Sequence, residues 1–186
     1  GQDDPRFRDA RLAAVTFDAG ADALQSLVSV PMFEAPAADR LDSAIRDYVW
    51  GGAGDEHTLR SNIAAWPERG LAPDTLVDVS TVDTATSLLG IPLAHPILVA
   101  PTAQHRAYHP DAEAATVAGA AAAQALYVQS SLGSSTLAQV GQAAREVGAP
   151  WLFQVYVQRD RGFTRELVAR AVAAGAAPRA SCSTPC

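Results

Sequence analysis

The second half of the chain alternates short apolar runs with stretches of helical character. The run Ile97–Ala100 is apolar throughout, as expected of a strand buried on both faces. Two more strand-like runs and three helical stretches continue the alternation: Leu126–Ser131, Trp151–Val157, 109–124, 134–147 and 164–174. This β-α-β-α-β-α order predicts a parallel sheet built of βαβ units. An open doubly wound sheet and a TIM barrel both fit it.

Upstream of these units the pattern predicts two helices and a short β run. Apolar residues at positions 41, 44, 45, 48 and 49 have helical spacing, and Gly51-Gly52 ends that helix. A second helix is predicted over residues 55–66, with Asp55 or Thr58 as its cap. Leu76–Ser80 has the residues of a short strand. Because no glycine-rich phosphate fingerprint follows the first strand of the βαβ units, a Rossmann sheet is disfavoured.

Composition and charge restrict the classes of function. The 186 residues are 48% hydrophobic and 18% charged, which is typical of a globular protein. A formal net charge of -6 without a basic stripe argues against a nucleic-acid partner. The longest Ala-rich run, residues 119–123, is too short to span a bilayer, and the acidic start differs from a basic signal peptide. We therefore expect a cytoplasmic protein with neither a nucleic-acid nor a membrane partner.

A series of sequence blocks stands in a consistent order between Phe33 and Gly175. The blocks are Asp47-Tyr48, Gly51-Gly52-Ala53, Asp55-Glu56, Thr58-Leu59, Asn62, 76–80, Asp83-Thr84, Leu89-Gly90, 96–103, His109-Pro110 with Glu113, Ser130-Ser131 and 153–157 with Asp160-Arg161. Together they resemble the FMN-dependent α-hydroxy-acid oxidases, the family of glycolate, lactate and mandelate oxidases and dehydrogenases. One departure is Ala112, which replaces the glycine usual between Asp111 and Glu113. Another is Leu132, which stands where some relatives carry a large aromatic residue.

The resemblance implies an α/β fold, the N-terminal part of a TIM (β/α)₈ barrel with preceding helices, in incomplete form. It divides the chain into four parts. Residues 1–31 are an extension of unknown role, and residues 32–96 are an N-terminal helical segment with the short β run. Residues 97–177 are the first three βα units of the barrel, and residues 178–186 are an aberrant tail.

The resemblance also implies FMN as cofactor. In a TIM barrel, ligands bind at the C-terminal ends of the strands. By the match, the backbone of Pro101, Thr102 and Ala103 lies against the flavin ring. Ser130 and Gln154 hydrogen-bond the pyrimidine edge of the ring, which needs both donors and acceptors.

Tyr48 and Tyr156 match the family's two tyrosines that bind the substrate, a small 2-hydroxy acid. A phenol is a neutral donor that stays protonated at pH 7. The reaction that the resemblance implies is oxidation to the 2-oxo acid, with hydride or its equivalent passed to FMN. The family's catalytic His, its carboxylate-binding Arg residues and a Lys near the flavin all match positions beyond this chain, so we assign no catalytic residue here.

The tail departs from the family. Where relatives have an apolar fourth strand, residues 176–186 have little strand character, and we hypothesise a frameshift near Pro178. Cys182 and Cys186 lack the neighbouring ligands of a metal site, so no metal is predicted. We therefore expect a chain that is inactive alone, with a homo-oligomeric partner or a missing C-terminal half. The alternatives are a truncated relative that serves as a binding or interaction module or as half of a split protein, and another βα-barrel enzyme that shares only the flavin bed.

Overall fold

The computed structural model describes residues 26–177, which fall into two compact units. The first comprises residues 26–82 and the second residues 83–177. The predicted tail at residues 178–186, with the hypothetical frameshift and both cysteines, lies outside the described residues, as does most of the predicted extension at residues 1–31. The predicted division at residue 96 stays a prediction.

The first unit contains a 3₁₀ turn (Val30–Phe33) and three short helices, the first of which follows the turn directly. They are α1 (Glu34–Ala38), α2 (Ser43–Trp50) and α3 (His57–Ala64). The Asp42 carboxylate caps α2 by accepting from the backbone N–H of Ala44 at 2.9 Å. The indole N–H of Trp50 donates to Oε1 of Glu34 at 2.6 Å, which ties the end of α2 to the start of α1.

Two local predictions in this unit are wrong. The cap of α3 is neither Asp55 nor Thr58 but Glu56, whose backbone is left-handed (φ 57) and whose carboxylate accepts from the N–H of Gly52 at 3.0 Å. The predicted β run at residues 76–80 is not a strand. Leu76 is left-handed (φ 62), and the Asp78 carboxylate accepts from the N–H of Ser80 at 2.9 Å. Such local side-chain bonds compete with strand pairing.

A β-hairpin opens the second unit. Strands β1 (Thr86–Leu88) and β2 (Ile91–Leu93) pair antiparallel. The two-residue turn between them has positive φ at both positions, 53 at Leu89 and 80 at Gly90. That is the pattern of a type I′ turn, whose twist matches the twist of the flanking strands. The Leu89-Gly90 pair therefore marks a hairpin that the apolar pattern alone did not predict.

Three βα units follow, in the order that the sequence predicts. They consist of β3 (Leu98–Val99), α4 (Ala112–Ala122), β4 (Leu126–Gln129), α5 (Leu137–Glu146), β5 (Trp151–Phe153) and α6 (Arg161–Ala173). The strands form one parallel sheet in the order β3-β4-β5, which confirms the βαβ prediction. Each strand is shorter than predicted. Ile97 is exposed rather than buried and lies before the first residue of β3.

The core of the second unit lies between the sheet and its helices. Its buried members are Val117, Ala120, Tyr127, Val140, Ala144, Trp151, Ala171 and Ala176. Helix α5 begins with a capping box between Thr136 and Gln139, and Asp160 caps α6. The backbone N–H of Ala177 then donates to the carbonyl of Trp151 at 2.8 Å, so the chain after α6 returns to the edge of β5. Within residues 26–177, none of the helices combines the length and apolar character that a membrane span requires.

Candidate functional site

The carboxyl ends of three neighbouring strands meet at one edge of the sheet. Strand β3 leads into Pro101–Ala103, β4 into Ser130–Ser135, and β5 into Gln154–Tyr156. In parallel α/β folds this edge is where ligands bind, since successive strands deliver their loops to the same side. Six of the seven predicted site residues lie on these three segments.

The Gln154 side chain is held in one orientation. Its Oε1 accepts from the backbone N–H of Ser131 at 3.2 Å and faces the hydroxyls of Ser130 and Ser131, each at 3.4 Å. An N–H donor can face only the amide oxygen, so the NH₂ group points the other way. Nothing within residues 26–177 accepts a hydrogen bond from this NH₂ group, which leaves two donors for a ligand.

Ser130 is buried, with 6% of its surface exposed. Its hydroxyl oxygen accepts from the N–H of Leu132 at 3.1 Å, which turns the chain sharply after β4. The backbone N–H of Gln154 donates to the carbonyl of Gln129 at 2.8 Å. These bonds bring Ser130 and Gln154 together; that both residues hydrogen-bond one ligand edge stays a prediction.

The loop after β3 presents small side chains at the same edge. Pro101 and Thr102 are exposed and Ala103 is half-buried. The next residue, Gln104, donates its backbone N–H to the carbonyl of Leu132 at 3.1 Å. This bond places Pro101–Ala103 beside the segment that carries Ser130, and the three residues offer backbone and small side chains there.

The two predicted substrate tyrosines lie in different units. Tyr156 follows β5, where its backbone N–H donates to Oγ of Ser131 at 3.3 Å, and its side chain is exposed at the strand-end edge. Tyr48 lies on α2 in the first unit and is also exposed. Neither phenol has a hydrogen-bond partner within the part of the chain that the structure describes, so both hydroxyls remain available to a ligand.

Glu113 has the most hydrogen-bonded side chain at this edge, and the sequence did not predict a site role for it. It is fully buried on α4. Its carboxylate accepts from the backbone N–H groups and the hydroxyls of Ser134 and Ser135, over 2.6–3.0 Å. Desolvation by burial raises the pKa of Glu113, but the bonds from Ser135 and Ser134 together outweigh it and hold that pKa below its ordinary value. The sequence signal is a lone carboxylate within an alanine-rich helix.

A second buried network lies under Ser130. The Tyr127 hydroxyl donates to Oε1 of Gln129 at 2.6 Å, and Nε2 of Gln129 donates to the carbonyl of Ser130 at 2.9 Å. Desolvation by burial and the nearby charge of Glu113 both raise the pKa of Tyr127 far above its usual range, so its phenol stays protonated. A Cβ added to Gly133 would overlap Nε2 of Gln129, which explains the glycine there.

The histidines do not gather at the site. Nδ1 of buried His105 lies 2.9 Å from Oγ1 of Thr116, while its Nε2 has no partner. Nε2 of His95 lies 2.8 Å from the carbonyl oxygen of Ala123. Over the described range 26–177, no three His, Cys, Asp or Glu side chains are placed to hold a metal ion.

Comparisons with known proteins agree with this geometry. Residues 37–178 match the family described as FMN-dependent dehydrogenase. The chain is 37% identical over 152 residues to a peroxisomal (S)-2-hydroxyacid oxidase of Arabidopsis thaliana, covering 82% of this chain and 41% of the relative. It is 40% identical over 155 residues to an L-lactate oxidase of a Nostoc species, covering 82% and 42%. The chain thus spans about two-fifths of the length of the curated relatives it matches.

Solved structures support the same fold. A crystal structure of mandelate oxidase superimposes with a TM-score of 0.75 at 34% identity, covering 80% of this chain and 42% of that one. A lactate oxidase from Pediococcus acidilactici gives a TM-score of 0.72 at 32% identity, with 82% and 40% covered. These matches confirm the predicted fold class, α/β, with the three βα units forming the N-terminal part of a TIM barrel.

Proposed function

We propose, from the premise that the chain belongs to the family of FMN-dependent dehydrogenases, that its strand ends hold the flavin ring in an enzyme that oxidises a small 2-hydroxy acid to the 2-oxo acid. The observation that carries the proposal is the fixed amide of Gln154. Its oxygen is engaged by Ser131, and its NH₂ group is free to donate. A flavin ring offers acceptor atoms along its pyrimidine edge, so this amide fits such a ligand.

The residues present suit the ring of FMN but not its phosphate. Pro101–Ala103 offer backbone and small side chains against a flat ring, and Ser130 and Gln154 offer polar groups at its edge. A helix N-terminus often binds phosphate. The Glu113 carboxylate binds the N–H groups of Ser134 and Ser135, which immediately precede the cap of α5, so a second anion beside that helix start would be repelled. We infer that the phosphate binds elsewhere, as expected in barrels that bind phosphate after strands 7–8.

The remaining roles fall to the tyrosines and to a base outside these residues. Oxidation removes the hydroxyl proton of the substrate and the hydrogen on C2 with its electron pair; FMN, when bound, supplies the acceptor for that pair. We propose that Tyr48 and Tyr156 donate to the carboxylate or the hydroxyl oxygen of the substrate. We assign the proton acceptor to no residue of 26–177. A positioned base contributes typically about 10²–10⁴-fold, so turnover depends on the segment that supplies it.

The substrate class rests on the relatives. Their names refer to 2-hydroxyacid and L-lactate, and a structural neighbour is a mandelate oxidase. Leu132 is exposed at the mouth of the β4 loop, where a modest side chain leaves room for a substrate substituent. We therefore propose a 2-hydroxy acid without committing to its side chain.

The direct test is flavin binding followed by reduction. Purified full-length chain is titrated with FMN while flavin fluorescence is recorded, and the titration is repeated with lumiflavin, which has the ring but no phosphate. Because the described site fits only the ring, both ligands should bind with affinities within about threefold, a difference below roughly 1 kcal/mol. No quenching by either ligand would refute the proposed ring site. Adding lactate, glycolate or mandelate without oxygen then tests turnover, since bleaching would place a working base within the chain.

A second candidate is that the chain works as one part of an assembly, either with a C-terminal half or with a second copy. The edge of β5 favours this candidate. Ala177 begins to pair there through its bond to Trp151. No strand within residues 26–177 pairs with that edge of β5, and an unpaired parallel edge invites a further strand. Sedimentation of the purified chain separates a monomer from a homo-oligomer.

We also propose a cytoplasmic location. Because the names of some relatives place them in peroxisomes, cell fractionation is the test.

A further inference from the structure

The buried carboxylate of Glu113 has no role in the function proposed above. It accepts five hydrogen bonds from only two residues, Ser134 and Ser135, and within residues 26–177 it forms no ion pair. Two of the donors are backbone N–H groups and two are hydroxyls. Only an ionised carboxylate offers acceptors to all of them at once. Bonds of this kind to a charged group are stronger than neutral ones.

The segment Ser130–Ser135 connects this carboxylate to the amide of Gln154. At one end Ser134 and Ser135 bind Glu113, and at the other Ser131 binds Oε1 of Gln154. A bond from the N–H of Gly133 to the carbonyl of Ser130, 3.1 Å long, closes the turn between the two ends. Because Gly133 is packed against Gln129, the turn has little room to absorb a shift. A movement at Ser134 therefore reaches Ser131 within three residues.

The loop after β3 is attached to the same segment. The backbone N–H of Arg106 donates to Oγ of Ser134 at 2.9 Å, and that of Gln104 donates to the carbonyl of Leu132 at 3.1 Å. The hydroxyl of Ser134 thus joins α4, the β3 loop and the β4 loop. The segment Ser130–Ser135 thus connects Glu113 to Ser130, to Gln154 and to the loop that follows Pro101–Ala103.

We propose that Glu113 is a positioning residue that fixes the segment Ser130–Ser135 and, through Ser131, orients the Gln154 amide toward its ligand. The inference rests on the proposed function in one respect, namely that the ligand of Gln154 is the flavin ring. The orientation of the amide is a property of the chain itself, and it can be measured without any ligand.

A purely structural role is the competing explanation. Glu113 also lies close to the start of α5, because it binds the two residues before the cap, and an anion near a helix N-terminus stabilises the helix. Thr136 stabilises the same helix end through its capping box with Gln139, yet its bonds do not involve Ser131 or Gln154. Thr136→Ala is therefore the matched control, since it weakens the start of α5 without touching the segment that reaches the site.

The test compares Glu113→Gln with Thr136→Ala in isotope-labelled full-length chain by NMR. In Glu113→Gln one carboxylate oxygen becomes an NH₂ group, which cannot accept the bonds that the serine N–H groups and hydroxyls donate to that oxygen. We expect the Ser131 amide to exchange about tenfold faster, which corresponds to roughly 1.4 kcal/mol of local opening free energy, and the side-chain NH₂ signals of Gln154 to shift. Thr136→Ala should leave both signals unchanged. Equal effects of the two variants at Ser131 and Gln154, or none from Glu113→Gln, would overturn the proposal.

A milder variant covers the case in which Glu113→Gln does not fold. Ser135→Ala removes one hydroxyl donor and keeps the backbone bond to Glu113. It should move the same two signals in the same direction, and a spectrum unchanged at both overturns the proposal. FMN titrations of these variants form a separate arm, in which Glu113→Gln should weaken binding more than Thr136→Ala. If the unmodified chain binds no FMN, the proposed function fails, while the NMR comparison still decides the role of Glu113.

Discussion

Replacing Gly141 by alanine should destabilise the second unit although alanine is the better helix former. Gly141 lies in α5 where that helix crosses the end of α6. A Cβ there would lie 3.0 Å from the carbonyl carbon and 3.2 Å from the Cβ of Ala174, and it would overlap the carbonyl oxygen. The same oxygen accepts from Nη1 of Arg145 at 3.0 Å. The two helices must therefore move apart, and the bond to Arg145 must lengthen.

The opposing contributions can be compared. Alanine gains about 1 kcal/mol over glycine in a helix interior. Overpacking a tight contact costs typically about 1–3 kcal/mol, and loss of the Arg145 bond costs about 1 kcal/mol more. The balance predicts that Gly141→Ala lowers the free energy of unfolding by about 1–3 kcal/mol. Because α5 and α6 support the strands that carry Ser131 and Gln154, the perturbation should also reach the strand-end edge.

Gly119 provides the matched control. It lies within α4, and a Cβ added there would meet nothing within 4 Å. Gly119→Ala should therefore raise the free energy of unfolding by about 1 kcal/mol. Urea unfolding of the three proteins, followed by circular dichroism, measures both changes. If Gly141→Ala stabilised the chain as Gly119→Ala does, the close approach of α5 to α6 would be refuted.

Three further predictions concern the site and its support. Ala112 is buried with φ 49, a left-handed conformation that costs an alanine about 1–2 kcal/mol. Ala112→Gly should relieve that cost but lose more conformational entropy on folding, so the free energy of unfolding should rise by less than about 1 kcal/mol. A lower stability in urea would contradict this. Gln154→Ala should weaken flavin binding up to about tenfold, the worth of one hydrogen bond, whereas Gln142→Ala on the exposed side of α5 should not, as fluorescence titration can determine. Because the pKa of Glu113 lies below its ordinary value of 4.5 in the folded chain, ionised Glu113 stabilises the chain at pH values above 4.5. That stabilisation is lost as the pH falls through the pKa of the folded state. The free energy of unfolding should therefore fall less steeply with acid in Glu113→Gln, and identical pH profiles would disprove the linkage.

The sequence predicted the parts of the fold that depend on repeating patterns. The apolar runs and the helical stretches between them locate three parallel βα units, since hydrophobic periodicity is a local property. Leu76–Ser80 failed because two short-range features, a left-handed Leu76 and the Asp78 bond to Ser80, override the β-forming side chains. The hairpin at Leu89-Gly90 was missed because a non-glycine residue occupies a left-handed position that glycine or asparagine usually takes.

The residues of the candidate site were predicted from the resemblance. Ser130 and Gln154 were each predicted to face the pyrimidine edge of the flavin; the structure places them in contact with each other, and their role toward the flavin stays a prediction. Glu113 was not assigned a role, because its importance depends on Ser134 and Ser135, which lie 21 and 22 residues away in the chain. Hydrogen bonds between residues so far apart in the chain leave no local pattern in the sequence. A carboxylate on an alanine-rich helix looks like a solvated residue until the fold buries it.

The position of Glu113 also constrains how the whole cofactor can bind. The Glu113 carboxylate lies against the N–H groups of the two residues before the cap of α5, and the Asp160 carboxylate caps the start of α6. We therefore expect a phosphate group to gain little near the proposed ring site and to be held by chain outside these three βα units. Ring and phosphate binding are then separable contributions. A flavin analogue without phosphate should bind this chain as well as FMN does, whereas a protein that carries both sites should prefer FMN strongly. The ratio of the affinity for FMN to the affinity for the analogue without phosphate thus shows whether a protein contains the phosphate site as well as the ring site.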